Sequence, residues 1–363
     1  MKQFKRGRFQ TTLRTLNQKK EFLGKLNHSE QPLRTLRIFS FLMALVIAWF
    51  LGSVCNIYYV GESQSLLNMY KQKLTIVRQL NKQRKLIIVG GSGAHKSVNS
   101  QFMQKELGIP VVNFGLDGRL GLNVILPIAL NAVSHGDVVL LIPEDVILID
   151  EDGVDYRSLP FSIGIGKPKL AYANPRQFIQ DIWLLGLPGL KPLTKSILDI
   201  LQEGRTTGYY SYPLTNNGDP TVDFVRPVWK RPVPKTISRN SIVKITRFRD
   251  QIEIKGASLI ISLPWFLAKT DELSVSNMKD ILRNLSQIAP VICDSETLNM
   301  QSDADFFADT EHHLTPQAKV IRSRQLVEQL IPFLKIADRH RASKIQDHPV
   351  QYPNVSLERE FKK

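Results

Sequence analysis

The feature that most constrains this chain is an uncharged stretch of 24 residues from Ile38 to Gly61, IFSFLMALVIAWFLGSVCNIYYVG. As a helix it would be about 36 Å long, more than the roughly 30 Å hydrocarbon core of a bilayer. Trp49 lies inside the stretch and Tyr58 and Tyr59 lie at its end, where interfacial aromatic residues are typical. No A-x-A cleavage site follows, which favours an uncleaved anchor over a signal peptide. The sequence therefore predicts one transmembrane helix over residues 38–61.

The positive charge of the chain is concentrated before and just after this stretch. Residues 1–85 carry 16 Lys and Arg against 3 Asp and Glu, so they hold +13 of the net charge of +15. Residues 1–37 form a basic arm that the positive-inside rule places in the cytoplasm, which puts the main domain on the extracytoplasmic side of the cell membrane. We expect the arm to contact anionic lipid of the bilayer. No nucleic-acid partner is expected, because no known nucleic-acid-binding module accompanies the arm.

Beyond the span the chain alternates between predicted helices and strands. Apolar residues at steps of three and four predict a juxtamembrane helix within residues 62–85. Short apolar runs then predict five strands, at residues 86–90, 110–115, 137–143, 257–263 and 290–293. Helical patterns separate or follow them, at residues 98–107, 120–133, 274–288 and 315–334. This alternation predicts an α/β domain over residues 86–337, with a parallel sheet covered on both faces.

One segment of the predicted domain has a different composition. Residues 151–240 contain 10 of the 20 prolines, which excludes regular sheet or long helix throughout. We interpret residues 151–255 as an insertion that covers the carboxyl edge of the sheet, where open α/β sheets bind ligands. Residues 338–363 are expected to form a polar tail.

The first candidate for chemistry is the segment GGSGAHKSVNS, directly after the first predicted strand. A serine in a glycine-flanked turn at the end of a strand is exposed as a nucleophile would be, which singles out Ser92. The spacing of the glycines matches neither a P-loop nor a dinucleotide-binding fingerprint. His95 follows three residues later, and we expect it to make a structural hydrogen bond.

The second candidate is the segment DTEHHLTPQAKV, just before the last helix. Asp309, His312 and His313 lie there in a polar loop. A carboxylate beside a histidine can fix the tautomer of the imidazole, which then accepts the proton of a nucleophile. No cluster at metal-ligand spacing accompanies them, and with two cysteines the chain has no disulfide scaffold. We expect neither a metal nor a cofactor.

Together the two segments resemble the SGNH (GDSL-like) hydrolases, and most closely the membrane-anchored branch of bacterial envelopes. The middle segment VVNFGLDG agrees, since that superfamily keeps an oxyanion-hole glycine after its second strand. The resemblance implies a flavodoxin-like three-layer fold of SGNH type. It also implies an esterase or O-acyltransferase acting on acylated glycan or another envelope polymer, with a possible membrane-bound acyl-transfer partner.

The resemblance assigns roles residue by residue. Ser92 would be the nucleophile, His313 the base and Asp309 its orienting carboxylate. The segment D-T-E-H-H-L-T matches the D-T-x-Y-H-L-[NT] motif of the anchored branch, which selects His313 as the base. The commoner Asp-x-x-His spacing of the superfamily selects His312 as the alternative base. The oxyanion would be held by Ser92, Gly115 and Asn113.

One block of the superfamily is missing. Where G-x-N-D is expected after the third strand, this chain reads LLIPEDVIL, so the asparagine donor of that block is missing, and Asn113 or Asn123 is the candidate to replace it. The acidic residues that begin there could bind a cation, but a solvated loop is the default expectation for such a run: Glu144, Asp145, Asp150, Glu151, Asp152 and Asp155. The missing block keeps a second hypothesis open, a catalytically inactive protein of this fold that binds glycan or supports an envelope assembly.

Overall fold

A computed structural model of the chain describes residues 34–151, 153, 157–171, 194, 197–204 and 208–347, with backbone alone for residues 336–347. Most of the predicted basic arm, part of the predicted insertion and residues 348–363 of the predicted tail lie outside the described residues. The description therefore covers the predicted membrane span and nearly all of the predicted α/β body.

The first described helix, α1, covers residues 34–58 and leaves most of its apolar side chains exposed, although Ile57 near its end is buried. It lies within the helical stretch Arg34–Gln79, which is long and apolar enough to cross a membrane. An exposed apolar surface of this length is consistent with a single-pass anchor, because exposing it to water is energetically unfavourable.

The second helix, α2, covers Glu62–Gln79 and belongs to the folded domain. Its apolar stripe is buried in the main hydrophobic core and consists of Leu66, Leu67, Met69, Tyr70 and Val77. Fully burying side chains of this size stabilises a fold by about 1.5–3 kcal/mol each. The domain therefore begins directly after the span.

Five parallel strands form the central sheet: β1 Leu86–Gly90, β2 Val111–Asn113, β3 Val138–Ile142, β4 Ser258–Ser262 and β6 Val291–Ile292. Their spatial order is β2-β1-β3-β4-β6, which is the order of flavodoxin-like sheets. A separate parallel pair is formed by β5 Phe266–Leu267 and β7 Met300–Gln301. The five predicted strands are present. This agrees with the rule that short apolar runs form parallel strands that are buried on both faces of the sheet.

Helices cover both faces of the sheet. Their bounds are α3 Ser92–Lys96, α4 Ser100–Leu107, α5 Leu122–Leu130, α6 Asp145–Leu148, α7 Ser158–Gly164, α8 Arg239–Ile254, α9 Glu272–Ser286 and α10 Pro316–Asp347. Short 3-10 helices lie at Gly118–Leu120, Pro168–Ala171 and Ala304–Phe306. Alternate residues of β1 point into two cores: Ile87 and Val89 pack with α2, α5, α8 and α9, and Leu86 and Ile88 pack with α4 and α10. The result is an α/β fold of three layers.

Two elements differ from their predicted extents. Helix α8 lies within the range interpreted as the insertion, but Ile245, Phe248 and Ile252 are buried in the core beside the sheet, so this helix is part of the layers. Helix α10 continues to Asp347, into the range expected to be tail. Residues 208–238 run without helix or strand past the carboxyl edge of the sheet.

Candidate active site

Ser92 lies where the strand-turn-helix pattern predicts it, at the carboxyl end of strand β1. It begins α3 directly after the turn at Gly91 and is half-buried. Its Oγ donates a hydrogen bond of 2.9 Å to Oε1 of Glu144, and the backbone N–H of Gly93 donates to the same oxygen. Ser92 therefore has a carboxyl group, not a histidine, as its hydrogen-bond partner.

Asp309 and His313 form a pair in the loop that precedes α10. A bridge between Phe307 and Leu314 closes the loop, and Thr310 Oγ1 accepts the backbone N–H of His313 (3.2 Å). This tight turn places Nδ1 of His313 2.8 Å from Oδ1 of Asp309. The carboxylate and imidazole that pair are therefore those of Asp309 and His313, which are separated by three residues (Asp-x-x-x-His).

The carboxylate of Asp309 fixes the tautomer of His313. Burial raises the pKa of Asp309, but the hydrogen bonds from His313 and Tyr209 and the charge of Lys96 outweigh burial, so the pKa lies below its ordinary value. An ionised Asp309 accepts, so we assign the imidazole proton to Nδ1, which leaves Nε2 free to take a proton.

Tyr209 is a third member of this cluster that the sequence did not reveal. Its hydroxyl donates to Oδ2 of Asp309 (2.8 Å) and lies 2.7 Å from Nδ1 of His313. Burial and the nearby Asp309 raise the pKa of Tyr209 far above its ordinary value, so the hydroxyl stays protonated and acts as a donor. Tyr209 comes from the proline-rich segment, whose irregular backbone has no periodic pattern from which to place it.

His312 is engaged in a different pair. Its Nε2 lies 2.7 Å from Oδ1 of Asp145, and its ring stacks on Phe266 with centroids 4.8 Å apart. Burial lowers the pKa of His312, but the hydrogen bond and charge of Asp145 raise it more, so the net shift is upward. Asp145 occupies Nε2, and the carbonyl oxygen of Trp265 lies 3.5 Å from Nδ1, so His312 lacks the free nitrogen that His313 has.

Ser92 and both histidines line one cavity of about 830 Å³ at the carboxyl edge of the sheet. Side chains of both charges surround it, and ion pairs join Arg157 to Asp117 and Glu62, and Arg231 to Glu311. Within the described residues no hydrogen bond joins Ser92 to His312 or His313. The fold thus brings the three expected catalytic residues to one cavity, with the serine turned toward Glu144.

Two residues expected in the oxyanion hole are held in the interior instead. The N–H of Gly115 donates to Oδ1 of Asn113 (3.0 Å), and Nδ2 of the fully buried Asn113 donates to Asp219 (2.9 Å) and to the carbonyl of His95 (3.0 Å). Their hydrogen-bonding groups are therefore committed away from the cavity. Of the three expected donors, Ser92 alone lies on the cavity wall.

This interior network is organised by Lys73, a fully buried side chain from α2. Its Nζ donates to the carbonyls of Asn113 (2.9 Å) and Gly115 (2.7 Å) and lies 2.9 Å from Nδ1 of His95. Burial lowers the pKa of Lys73 to about 7, and burial with the neighbouring lysines lowers that of His95. His95 therefore makes the expected structural contact, and the network fixes the turn after β2.

Part of the acidic run expected to be solvated lies inside the site. Glu144 is 2% exposed and Asp145 pairs with His312, while Asp152 and Asp155 lie outside the described residues. The signal for Glu144 was its position two residues after the buried strand β3, at the edge where ligands bind. Its charge favoured the solvated interpretation, which the structure corrects.

No protein-family model matches this sequence, and comparison with curated proteins gives no match. Across the described residues, no group of three or more His, Cys, Asp or Glu side chains is arranged to hold a metal ion.

Proposed function

We propose that the chain is a membrane-anchored serine esterase or O-acyltransferase of SGNH type, acting on acyl esters of envelope or exported polysaccharide. The observation that carries the proposal is the Asp309–His313 pair, 2.8 Å apart, on the same cavity as Ser92. A carboxylate-oriented imidazole and a serine at a strand end are the parts that acyl transfer needs. The polysaccharide class comes from the resemblance to the anchored envelope branch.

The chemistry begins when Ser92 Oγ attacks the ester carbonyl and its proton passes to Nε2 of His313. Asp309 stabilises the imidazolium through Nδ1–H. Collapse of the tetrahedral intermediate breaks the ester C–O bond, and His313 returns the proton to the departing alcohol. Water or a sugar hydroxyl then attacks the acyl-Ser92 ester, with His313 as base again. Breaking the bond between the acyl carbon and Ser92 Oγ releases the product, and His313 returns its proton to Oγ. For the first step the Ser92 hydroxyl turns from Glu144 toward His313.

The predicted membrane anchor would determine on which side of the membrane this reaction takes place. A cytoplasmic basic arm and a span over residues 38–61 would hold the domain on the extracytoplasmic face of the cell membrane. There it would meet exported polymers and any membrane-bound protein that delivers the acyl group. The bilayer, an acylated glycan and such a donor are the partners we propose.

A second candidate is a non-catalytic protein that binds glycan in the same cavity. It is favoured by one observation, the hydrogen bond of Ser92 to Glu144 in place of a histidine. In that case the cavity would hold a sugar polymer without cleaving it.

Labelling with a fluorophosphonate probe distinguishes the two, because the probe reacts only with an activated serine. We expect the full chain in detergent to be labelled, and Ser92→Ala to abolish the label. The control is Ser286→Ala, an exposed serine at the end of α9, which should leave labelling unchanged. Absence of label on the folded wild type would reject the enzyme and leave the binding protein.

A further inference from the structure

Glu144 lies in a closely fitted pocket beside the nucleophile. A Cβ atom on Gly91 or Gly118 would overlap its Oε2, and one on Gly93 would lie 2.8 Å from its Cγ. Three glycines therefore leave room for this side chain, which is 2% exposed. A surface carboxylate needs no such fit, so the arrangement indicates a role at the site.

The two oxygens of Glu144 are bonded differently. Oε1 accepts from Ser92 Oγ and from the N–H of Gly93. Oε2 is buried and has no hydrogen-bond partner among the described residues. A charged carboxylate oxygen without a donor is costly in the interior, whereas a neutral carboxylic acid presents one accepting oxygen and one O–H. This arrangement is the one expected of a neutral carboxylic acid whose O–H group, on Oε2, has no acceptor among the described residues.

Two titratable side chains act on Glu144 through their charge, and both are histidines. From the loop before α10, His312 and His313 face it, and His312 is paired with Asp145, the next residue along the chain. The neighbours from α3, Ser92 and Gly93, carry no charge. Burial raises the pKa of Glu144, and the two histidines and the hydrogen bonds to Oε1 offset only part of that rise.

We propose that Glu144, as a neutral carboxylic acid, donates a hydrogen bond from Oε2 to the oxyanion that forms when Ser92 attacks the ester. The inference rests on the proposed function. Glu144 occupies the place after β3 where the resembling superfamily has its missing asparagine donor. The oxyanion forms on the carbon bonded to Ser92 Oγ, and Gly118, against which Oε2 rests, lines the cavity. The proton stays on Glu144 throughout, so no further acid or base is required.

The test compares wild type, Glu144→Gln and Glu144→Ala in the turnover of a p-nitrophenyl ester across pH. We expect kcat of the wild type to fall as pH rises through the pKa of Glu144, because the ionised carboxylate cannot donate and repels the oxyanion. Glu144→Gln should lose this alkaline decline, since its amide donates at every pH. Glu144→Ala should lower kcat by about 10²–10³, the usual cost of one oxyanion donor.

A readout independent of activity is the infrared difference spectrum between wild type and Glu144→Gln. It should show the C=O band of a protonated carboxylic acid at neutral pH, and carboxylate bands alone would overturn the proposal. So would a folded Glu144→Gln as inactive as Glu144→Ala, which is the result expected of a carboxylate base. If the wild type is labelled at Ser92 and Glu144→Ala turns over ester at the wild-type rate, only this proposal fails. No label on wild type rejects the proposed function itself.

Discussion

At the scale of single residues, the two neighbouring histidines of the loop before α10 have different hydrogen-bond partners. His313 pairs with Asp309 and keeps Nε2 free, while His312 gives Nε2 to Asp145. Sequence spacing alone left both as candidates for the base. The hydrogen bonds separate them, because a base needs one nitrogen held and the other available.

The first prediction follows from this difference. Ser92→Ala and His313→Ala should each remove nearly all ester turnover above background, and the double variant should be little worse, since nucleophile and base act as a unit. His312→Ala should retain clearly more activity than His313→Ala. Initial rates on a p-nitrophenyl ester give the comparison, with thermal unfolding as the check that each variant folds. A reversed order of the two histidine variants would contradict the assignment.

A second prediction concerns what holds His313. Asp309→Asn should lower kcat severely, by up to about 10⁴, because the amide favours the wrong imidazole tautomer. Tyr209→Phe removes only one hydrogen bond to the Asp309 carboxylate, worth about 1.5–3 kcal/mol, so its loss should be roughly 10–150-fold at most. Rates measured for both variants should fall in this order. An equal loss in the two would mean that Tyr209 does more than hold Asp309.

At the scale of elements, the helix after the membrane span is part of the site's support. Lys73 of α2 reaches the turn after β2 and donates to the carbonyls of Asn113 and Gly115. Those two bonds hold the turn from which the chain continues to Gly118 at the cavity wall. Helix α2 thus supports the site through the turn after β2 and does not contact the reacting atoms.

The third prediction is a pH dependence of stability from Lys73. Burial lowers its pKa from 10.5 to about 7, so above pH 7 the folded protein has released a proton that the unfolded chain still binds. The free energy of unfolding should therefore rise between about pH 7 and 10.5. Lys73→Met should lose part of that rise, and Lys71→Met, an exposed lysine of the same helix, should keep it. Denaturant unfolding at several pH values measures this, and equal slopes in the two variants would contradict it.

The sequence predicted the regular elements well and their contacts poorly. The runs at β1 and β3 are apolar on both faces, a local property that identifies buried parallel strands. Helix α3 has five residues and β5 has two, too few for a period to appear. Tyr209 is joined to the site only by contacts distant in sequence, and nothing local marks it. Glu144 was marked only by its position just after β3, and its charge pointed to solvent instead. The pairing of Asp309 with His313 was predictable because both lie in one short loop.

At the scale of the whole molecule, the domain boundary lies at Glu62 and not at the first strand. Five apolar side chains of α2 are buried in the core, and at about 1.5–3 kcal/mol each they contribute an amount comparable to the 5–15 kcal/mol stability of a typical domain. No part of α2 can therefore be treated as a linker.

The fourth prediction tests this boundary with two fragments. A fragment that begins at Glu62 should unfold cooperatively and retain the fluorophosphonate label. A fragment that begins at Lys85 lacks α2 and should be insoluble or lack a cooperative transition. Circular dichroism during heating distinguishes them. A stable, labelled fragment from Lys85 would show that α2 is dispensable.

The fifth prediction is the sidedness of the anchor. With the basic arm in the cytoplasm, a reporter active only outside the cytoplasm should be active when fused at the C-terminus and inactive when fused at the N-terminus. A reporter that works only in the cytoplasm should give the opposite pair of results. The reverse pattern would place the domain inside and remove exported polymers as substrates.

The position of Glu62 has a consequence for how substrates arrive. Glu62 is the first residue after the uncharged stretch, and it pairs with Arg157 on the wall of the cavity. If residues 38–61 span the bilayer, the cavity opens at the height of the lipid headgroups. Encounters there are confined to a plane, so under the proposed function an acylated polymer still tethered to lipid would meet Ser92 far more often than a polymer already released into the surrounding fluid.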